Sequence, residues 1–111
     1  MNILEVRGRA GVTVTETVTD TSQSIDTGVT GIKFKNTDGD LISGLLITCE
    51  TNNVKYAFGA DAVSAGLGHV LVKDTDGIYL RNAANIRAFR FINSVAQSAG
   101  VIQLTPFYGE Y

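Results

Sequence analysis

The chain has 111 residues, and a single domain is expected because domains typically contain roughly 100–200 residues. Nine basic and eleven acidic residues give a net charge of −2. This balance argues against a nucleic-acid-binding protein, which carries a basic face. No apolar run approaches the roughly 18 residues of a membrane span, so no membrane association is expected. The single cysteine excludes an internal disulfide, and the first residues lack the pattern of a secretory signal peptide.

The dominant pattern along the chain is the alternation of apolar and polar residues, which is typical of strands with one buried face. Residues 1–11 interrupt this pattern and are expected to form an N-terminal arm before a sandwich domain of residues 12–111. The alternation then predicts strands at Val12–Val18, Ile32–Lys35, Leu45–Glu50, Val54–Phe58, His69–Lys73, Ile78–Arg81, Ala88–Ile92 and Val101–Tyr108. No window of ten or more residues has the apolar spacing of a helix.

Turn residues separate the predicted strands. Asn36–Asp40 and Asp74–Gly77 each place Asp-Gly between apolar runs, which predicts two hairpins. Thr51–Asn53 predicts a tight turn, and Asn82–Asn85 an irregular break. Pro106 cannot donate a ladder hydrogen bond, so it predicts an edge position or a bulge in the last strand. Turns at roughly 8–12-residue intervals predict an all-β, antiparallel β-sandwich of seven to nine short strands, for which the jelly roll is one possible arrangement.

The inward-facing positions of these strands define the expected core. Cys49 alternates with Leu45 and Ile47, so we expect it to pack there as a small apolar residue. The other predicted core residues are Val12, Val14, Ile32, Phe34, Leu45, Ile47, Tyr56, Phe58, Val70, Val72, Ile78, Leu80, Phe89, Phe91, Ile102 and Leu104.

The sequence offers no spaced catalytic or metal-binding motif. His69 is the only histidine, and only Ser64 and Asp61 lie near it as partners for nucleophilic catalysis. One histidine and one cysteine fall short of a zinc site, and the acidic turns lack the spacing of a calcium loop. Gly66–Gly68 lacks the lysine and the third glycine of a phosphate loop. We therefore expect no enzyme activity, no cofactor and no bound metal.

Arginines and the aromatic C-terminal segment are the candidate partner contacts. Arg87 and Arg90 lie in a stretch with an excess of positive charge, and arginine is enriched in protein interfaces. Solvation of a sheet face is the alternative explanation for both. The C-terminal aromatics either close the domain's own core or contact a partner. The full candidate set is Arg7 and Arg9 in the arm, Arg87, Arg90, Phe107, Tyr108 and Tyr111.

The second half of the chain carries a pattern of aromatic strands and glycine turns: Tyr56–Gly59, Gly66–Leu71, Ile78–Leu80, Asn85–Ile92 and a last strand at residues 101–108. This pattern resembles that of small all-β structural proteins of tailed bacteriophages, such as capsid decoration or cement proteins. The similarity covers roughly residues 45–108.

The resemblance implies a virion protein on the capsid surface, made in the host cytoplasm. Such a protein would bind the major capsid protein and its own copies, as a trimer or another closed homo-oligomer, and would stabilise the head. A tail or fibre component is an alternative. A second alternative is a small carbohydrate-binding module that stacks sugars on tyrosines such as Tyr56, Tyr79 or Tyr108.

Overall fold

The alternating segments form nine strands and one short helix in the computed structural model, which describes residues 8–25, 32–59, 68–95 and 97–109. Within these residues the elements are β1 (Arg9–Ala10), β2 (Val14–Thr17), β3 (Gln23–Ser24), β4 (Ile42–Thr51), β5 (Val54–Phe58), β6 (His69–Leu71), β7 (Ile78–Arg81), α1 (Ala83–Ala88), β8 (Phe89–Asn93) and β9 (Val101–Tyr108).

The strands form two antiparallel sheets. Sheet A has the order β1-β9-β4-β7, with β2 also paired to β9, and sheet B has the order β3-β8-β5-β6. The pairs β2–β9, β3–β8, β4–β7 and β5–β6 are nested within one another like a long ribbon folded back on itself. The additional pairs β4–β9 and β5–β8 close that ribbon into a roll. The predicted all-β sandwich is therefore confirmed, and its strand order is that of a jelly roll.

The core lies between the two sheets and is built around the pairing of β4 with β9. Every second residue of β9, from Ile102 to Tyr108, is buried, because successive side chains of a strand point to opposite faces. Sheet B contributes Phe89 and Phe91, whose ring centroids lie 5.8 Å apart. Cys49 is 2 % exposed, as predicted for a core residue.

Four of the predicted core residues are exposed instead: Val12, Phe58, Val70 and Val72. In β6 the inward residue is Leu71, so the predicted inward face is wrong by one position, and a shift of one residue turns every side chain to the other face. Phe58 is the last residue of β5 and is 50 % exposed. Residues that the prediction omitted, including Val18, Ile25, Ile42 and Val54, are buried in their place.

The three predicted turns have different outcomes. Asp74–Gly77 joins β6 in sheet B to β7 in sheet A, so the predicted hairpin there is wrong. The tight turn predicted at Thr51–Asn53 is confirmed, and it joins β4 in sheet A to β5 in sheet B. The Asn36–Asp40 turn does reverse the chain, closing a single bridge between Lys35 and Leu41. That bridge is the only strand-like pairing found in the described part of the predicted strand Ile32–Lys35.

The predicted break at Asn82–Asn85 is the start of a helix. Asn82 caps α1: its side chain accepts a hydrogen bond from the backbone N–H of Asn85. Ile86 is fully buried and anchors the helix to the core. With six residues and a single buried position, α1 is too short to show a detectable helical pattern.

Pro106 lies in an interior strand, so the predicted edge position is wrong. β9 is flanked by β4 on one side and by β1 and β2 on the other. The carbonyl of Pro106 accepts a hydrogen bond from the N–H of Gly11, which lies in the gap between β1 and β2. The N–H and C=O of one strand residue point to the same side, so the donor that proline lacks falls at this irregular gap.

The same edge carries an acidic side chain directed toward the sandwich interior. Glu16 in β2 pairs with the buried Ile102 of β9, and paired residues share a face of the sheet. Burial raises the pKa of Glu16, because desolvation disfavours the charged carboxylate.

Of the predicted N-terminal arm, residues 1–7 lie outside the described residues, whereas Arg9 and Ala10 pair with β9 as part of sheet A.

Two glycines with positive φ provide a test of the crossing between the sheets. Gly77 (φ 82°) and Gly39 (φ 85°) have nearly the same positive φ. A methyl group at Gly77 would overlap the carbonyl oxygen of Ile47, whereas one at Gly39 would meet no atom. We expect Gly39→Ala to lower the free energy of unfolding by about 1 kcal/mol, from backbone strain alone. Gly77→Ala should lower it by about 3 kcal/mol or more, because steric overlap is added. Urea denaturation measures both, and equal losses would contradict the close packing.

Candidate functional site

The outer face of sheet B combines positive charge with aliphatic surface. Residues that pair across β5, β6 and β8 share this face, which we call the Arg90 face: Lys55, Ala57, Val70, Arg90 and Ile92. Val70 is 46 % exposed, and the other four side chains are half-buried. Among these five residues the two charges are both positive. Ser24 pairs with Arg90 and so shares this face, but it is only 1 % exposed, so the chain itself covers the β3 side of the face. The part toward β6, where Val70 is exposed, is open to a partner with some apolar surface.

Arg90 is the most unusual residue of this face. Its side chain is half-buried, and its Nε is buried with no hydrogen-bond acceptor among the described residues. A buried donor without an acceptor typically costs about 1–3 kcal/mol. The Nε atom is closed to solvent, so a carboxylate from another molecule can pair only with the outer part of this half-buried side chain.

The central part of the outer face of sheet A is mostly polar and carries no charged side chain, whereas Tyr79, Arg81 and Phe107 lie at one end of the same face. We call this central part the threonine face, formed by Thr13, Thr15, Leu46, Thr48, Gln103 and Thr105. The hydroxyls of Thr13 and Thr105 are 2.6 Å apart, and Thr15 donates to Gln103 at 2.8 Å. These side chains hold one another across the strands, so the face is ordered before any partner arrives.

The remaining predicted interface residues lie in several places. Arg87 stacks its guanidinium 4.4 Å from the ring centre of Phe34, and Arg9 pairs with Asp40 at 3.3 Å. Phe107 is half-buried on the outer side of sheet A.

Tyr108 is 8 % exposed and donates a hydrogen bond to the carbonyl of Lys33, so it belongs to the core and offers little surface to a partner. Burial raises the pKa of its phenol. Arg7 and Tyr111 lie outside the described residues.

The residues considered for catalysis, His69 and Cys49, make contacts typical of residues that pack within a fold. The ring of His69 lies 5.5 Å from that of Tyr56, while Ser64 and Asp61 lie outside the described residues. The Cys49 thiol is buried and contacts the carbonyl of Asn52 at 2.8 Å. Burial raises the pKa of this thiol, which disfavours the nucleophilic thiolate.

The acidic turn at Asn36–Asp40 uses its polar groups internally. The side-chain oxygen of Asn36 accepts hydrogen bonds from the backbone N–H groups of Asp38 and Asp40, and the Asp40 carboxylate binds Arg9.

Across the described parts of the chain, no three or more His, Cys, Asp or Glu side chains form a group suited to a metal ion. Nor does any helix in those parts have the length and apolar character needed to cross a membrane.

A cleft of about 390 Å³ opens where the end of β5 faces the edge strand β7 and the helix α1. It is lined by Phe58, Tyr79, Leu80, Arg81 and Asn85. The sequence assigned Phe58 to the core and Asn85 to an irregular break, so this site was not predicted. Tyr79, one of the three tyrosines considered for sugar stacking, does line it.

A carboxylate holds the loop between β8 and β9. Asp20 accepts hydrogen bonds from the side chain of the buried Asn93 at 2.9 Å and from the backbone N–H of Gln97 at 3.0 Å. Asn93 in turn accepts from the N–H of Gly100. The bond from Asn93, followed by that from Gln97, lowers the pKa of Asp20, because both stabilise the charged form.

This cluster predicts a pH dependence of stability. A carboxylate whose pKa is lower in the folded than in the unfolded state contributes stability above its unfolded pKa and loses it as the pH falls. We therefore expect Asp20→Asn to lower the free energy of unfolding at pH 7, and the loss to become smaller at pH 3, below the ordinary pKa of an aspartate. Denaturant titrations at both pH values measure this. Asp38→Asn is the control, because the turn uses the backbone N–H of Asp38. A loss for Asp20→Asn that is equal at pH 7 and pH 3 would contradict the assignment.

Comparison of the chain with protein-family models, with curated proteins and with solved structures found no match.

Proposed function

We propose that this protein is a structural component of a virion, a capsid decoration or cement protein that acts by surface contact and without catalysis. The observation that carries the proposal is the Arg90 face, where a half-buried guanidinium has an Nε without an acceptor among the described residues. Arginines in well-packed positions contribute much of the energy of protein interfaces. In this proposal an acidic group of the major capsid protein pairs with the part of the Arg90 side chain that remains exposed.

The jelly roll supports this proposal because it presents two broad faces on opposite sides of one domain. The Arg90 face and the threonine face belong to different sheets, so one subunit can contact two neighbours at once. The threonine face carries no charge among its named residues, and two identical copies can therefore approach without repulsion. We assign the threonine face to contacts between copies in a closed homo-oligomer. Repetition around a symmetric shell then converts individually weak contacts into strong attachment.

The fold gives this proposal a general precedent. Viral capsid domains and lectins both use jelly rolls, and one fold serves many functions, so the surface must decide between them. The surface feature that favours an assembly role is Arg90, a half-buried cation whose Nε has no hydrogen-bond acceptor among the described residues.

The test separates binding from stability with two matched variants. Arg90→Met removes the incomplete donor while keeping an unbranched apolar side chain, so we expect the free energy of unfolding to stay the same or rise. Binding to assembled shells of the major capsid protein encoded nearest to its gene should weaken at least about tenfold, which corresponds to about 1.4 kcal/mol. Co-sedimentation with shells measures binding, and urea denaturation measures stability.

Arg87→Met is the control, and its pattern should be the reverse. Arg87 already stacks on Phe34, so its loss should cost about 0.5–1 kcal/mol of stability and leave shell binding unchanged. Unchanged binding by Arg90→Met would remove the Arg90 face from the interface. A wild-type protein that is strictly monomeric by analytical ultracentrifugation and does not bind shells would overturn the proposed function.

A further inference from the structure

The cleft between β5, β7 and α1 contains an aromatic ring that the fold holds in place but does not cover. Phe58 is 50 % exposed, although it continues a row of aromatic residues on the inner side of sheet B. Its ring meets those of Tyr56 and Phe89 edge-on, with centroids 6.1 and 5.8 Å away. Phe89 is fully buried, so the exposed ring rests on a rigid support.

This support matters for binding because a flat apolar surface that is already ordered loses little conformational entropy when a ligand arrives. Leu80 is 7 % exposed and also lines the cleft. The volume of about 390 Å³ falls within the range of roughly 300–1,000 Å³ that is usual for small-molecule sites.

Polar groups accompany the aromatic ring. Asn85 is exposed and lines the same cleft. Its planar side-chain amide supplies both hydrogen-bond donors and an acceptor. The N-cap bond from the backbone of Asn85 to the side chain of Asn82, 3.0 Å long, fixes the position of Asn85 at the start of the helix.

The combination fits the chemistry of a sugar. One side of a pyranose ring presents mainly C–H groups, which pack on an aromatic face, while its hydroxyls both donate and accept hydrogen bonds. We propose that this cleft binds a saccharide through one sugar residue, stacked on Phe58 and hydrogen-bonded by Asn85. The site is distinct from the Arg90 face, and the proposal does not rest on the virion function.

A second cleft provides an internal comparison. It has a volume of about 220 Å³ and is lined by Asn52, Asn53, Lys73, Ser94, Val95 and Ser98. It contains polar groups and the exposed Val95, but no aromatic ring. It lies near Asn53, which precedes the first residue of β5, whereas Phe58 is the last residue of that strand. The two clefts are thus at opposite ends of β5.

The experiment is a titration of the isotope-labelled chain, followed by amide chemical shifts, with the methyl glycosides of glucose, galactose, N-acetylglucosamine and N-acetylneuraminic acid. We expect at least one of them to bind in the millimolar range and to shift the amide signals of residues 58, 79–81 and 85. Phe58→Ala should weaken that binding at least tenfold, and Asn85→Ala should also weaken it. Val95→Ala, which removes an exposed apolar side chain from the other cleft, should leave it unchanged.

Each alternative result is decisive. The absence of shifts with all four sugars would overturn the proposal, as would shifts confined to the second cleft. Equal affinities of the wild-type protein and Phe58→Ala would overturn it too, provided that the dispersed amide spectrum shows the variant to be folded. Because Phe58 is half-exposed, we expect Phe58→Ala to fold. Asn85→Ala affects an exposed side chain and provides a second variant should Phe58→Ala unfold.

Discussion

The pairing of β4 with β9 is the constraint on which the rest of the structure depends. These two strands, 10 and 8 residues long, are the longest of the fold, and they join parts of the chain about half its length apart. Their inward residues, including Leu45, Ile47, Ile102 and Leu104, are all buried. With this pair in register, β7 pairs with the free side of β4, and β1 and β2 pair with the free side of β9. Sheet B can then close over the apolar face so formed.

The alternation in the sequence predicts this central pair well, because each inward position of β9 is apolar and each outward position except Phe107 and Val101 is polar. The pattern fails where both faces of a segment are apolar. His69–Lys73 contains three apolar residues in succession, so nothing local determines that Leu71 points inward while Val70 points out. That choice depends on the partner strand β5, which lies elsewhere in the chain.

Turn chemistry has a similar limit. Asp-Gly reports a local backbone conformation, and Gly77 does have a positive φ as expected. It carries no information about whether the two flanking strands belong to the same sheet. Pro106 illustrates the same point: the missing donor is real, but the gap that accommodates it is created by β1 and β2, at the other end of the chain.

The candidate sites divide along the same line. Arg90 could be named in advance because an arginine between phenylalanines in a strand indicates a sheet face. That its Nε has no acceptor among the described residues could not be predicted, because the surroundings of this atom depend on the neighbouring strands β3 and β5. Arg87, two residues before Phe89, stacks on Phe34, which is distant in the sequence but adjacent in space. The cleft at Phe58 could not be predicted, because an exposed aromatic residue at the end of a strand has the same local sequence pattern as a buried one.

The edge of sheet A formed by β1 and β2 has a consequence for solubility. Unpaired strand edges invite the same edge of another molecule to dock, and stacks of such contacts grow into amyloid-like fibrils. Here the gap around Gly11 divides the edge into a segment of two residues and one of four, and Glu16 places a carboxylate where a second ladder would enclose it. Molecules can therefore pack against one another through the faces of their sheets, while the β1–β2 edge resists pairing into a continuous cross-β structure.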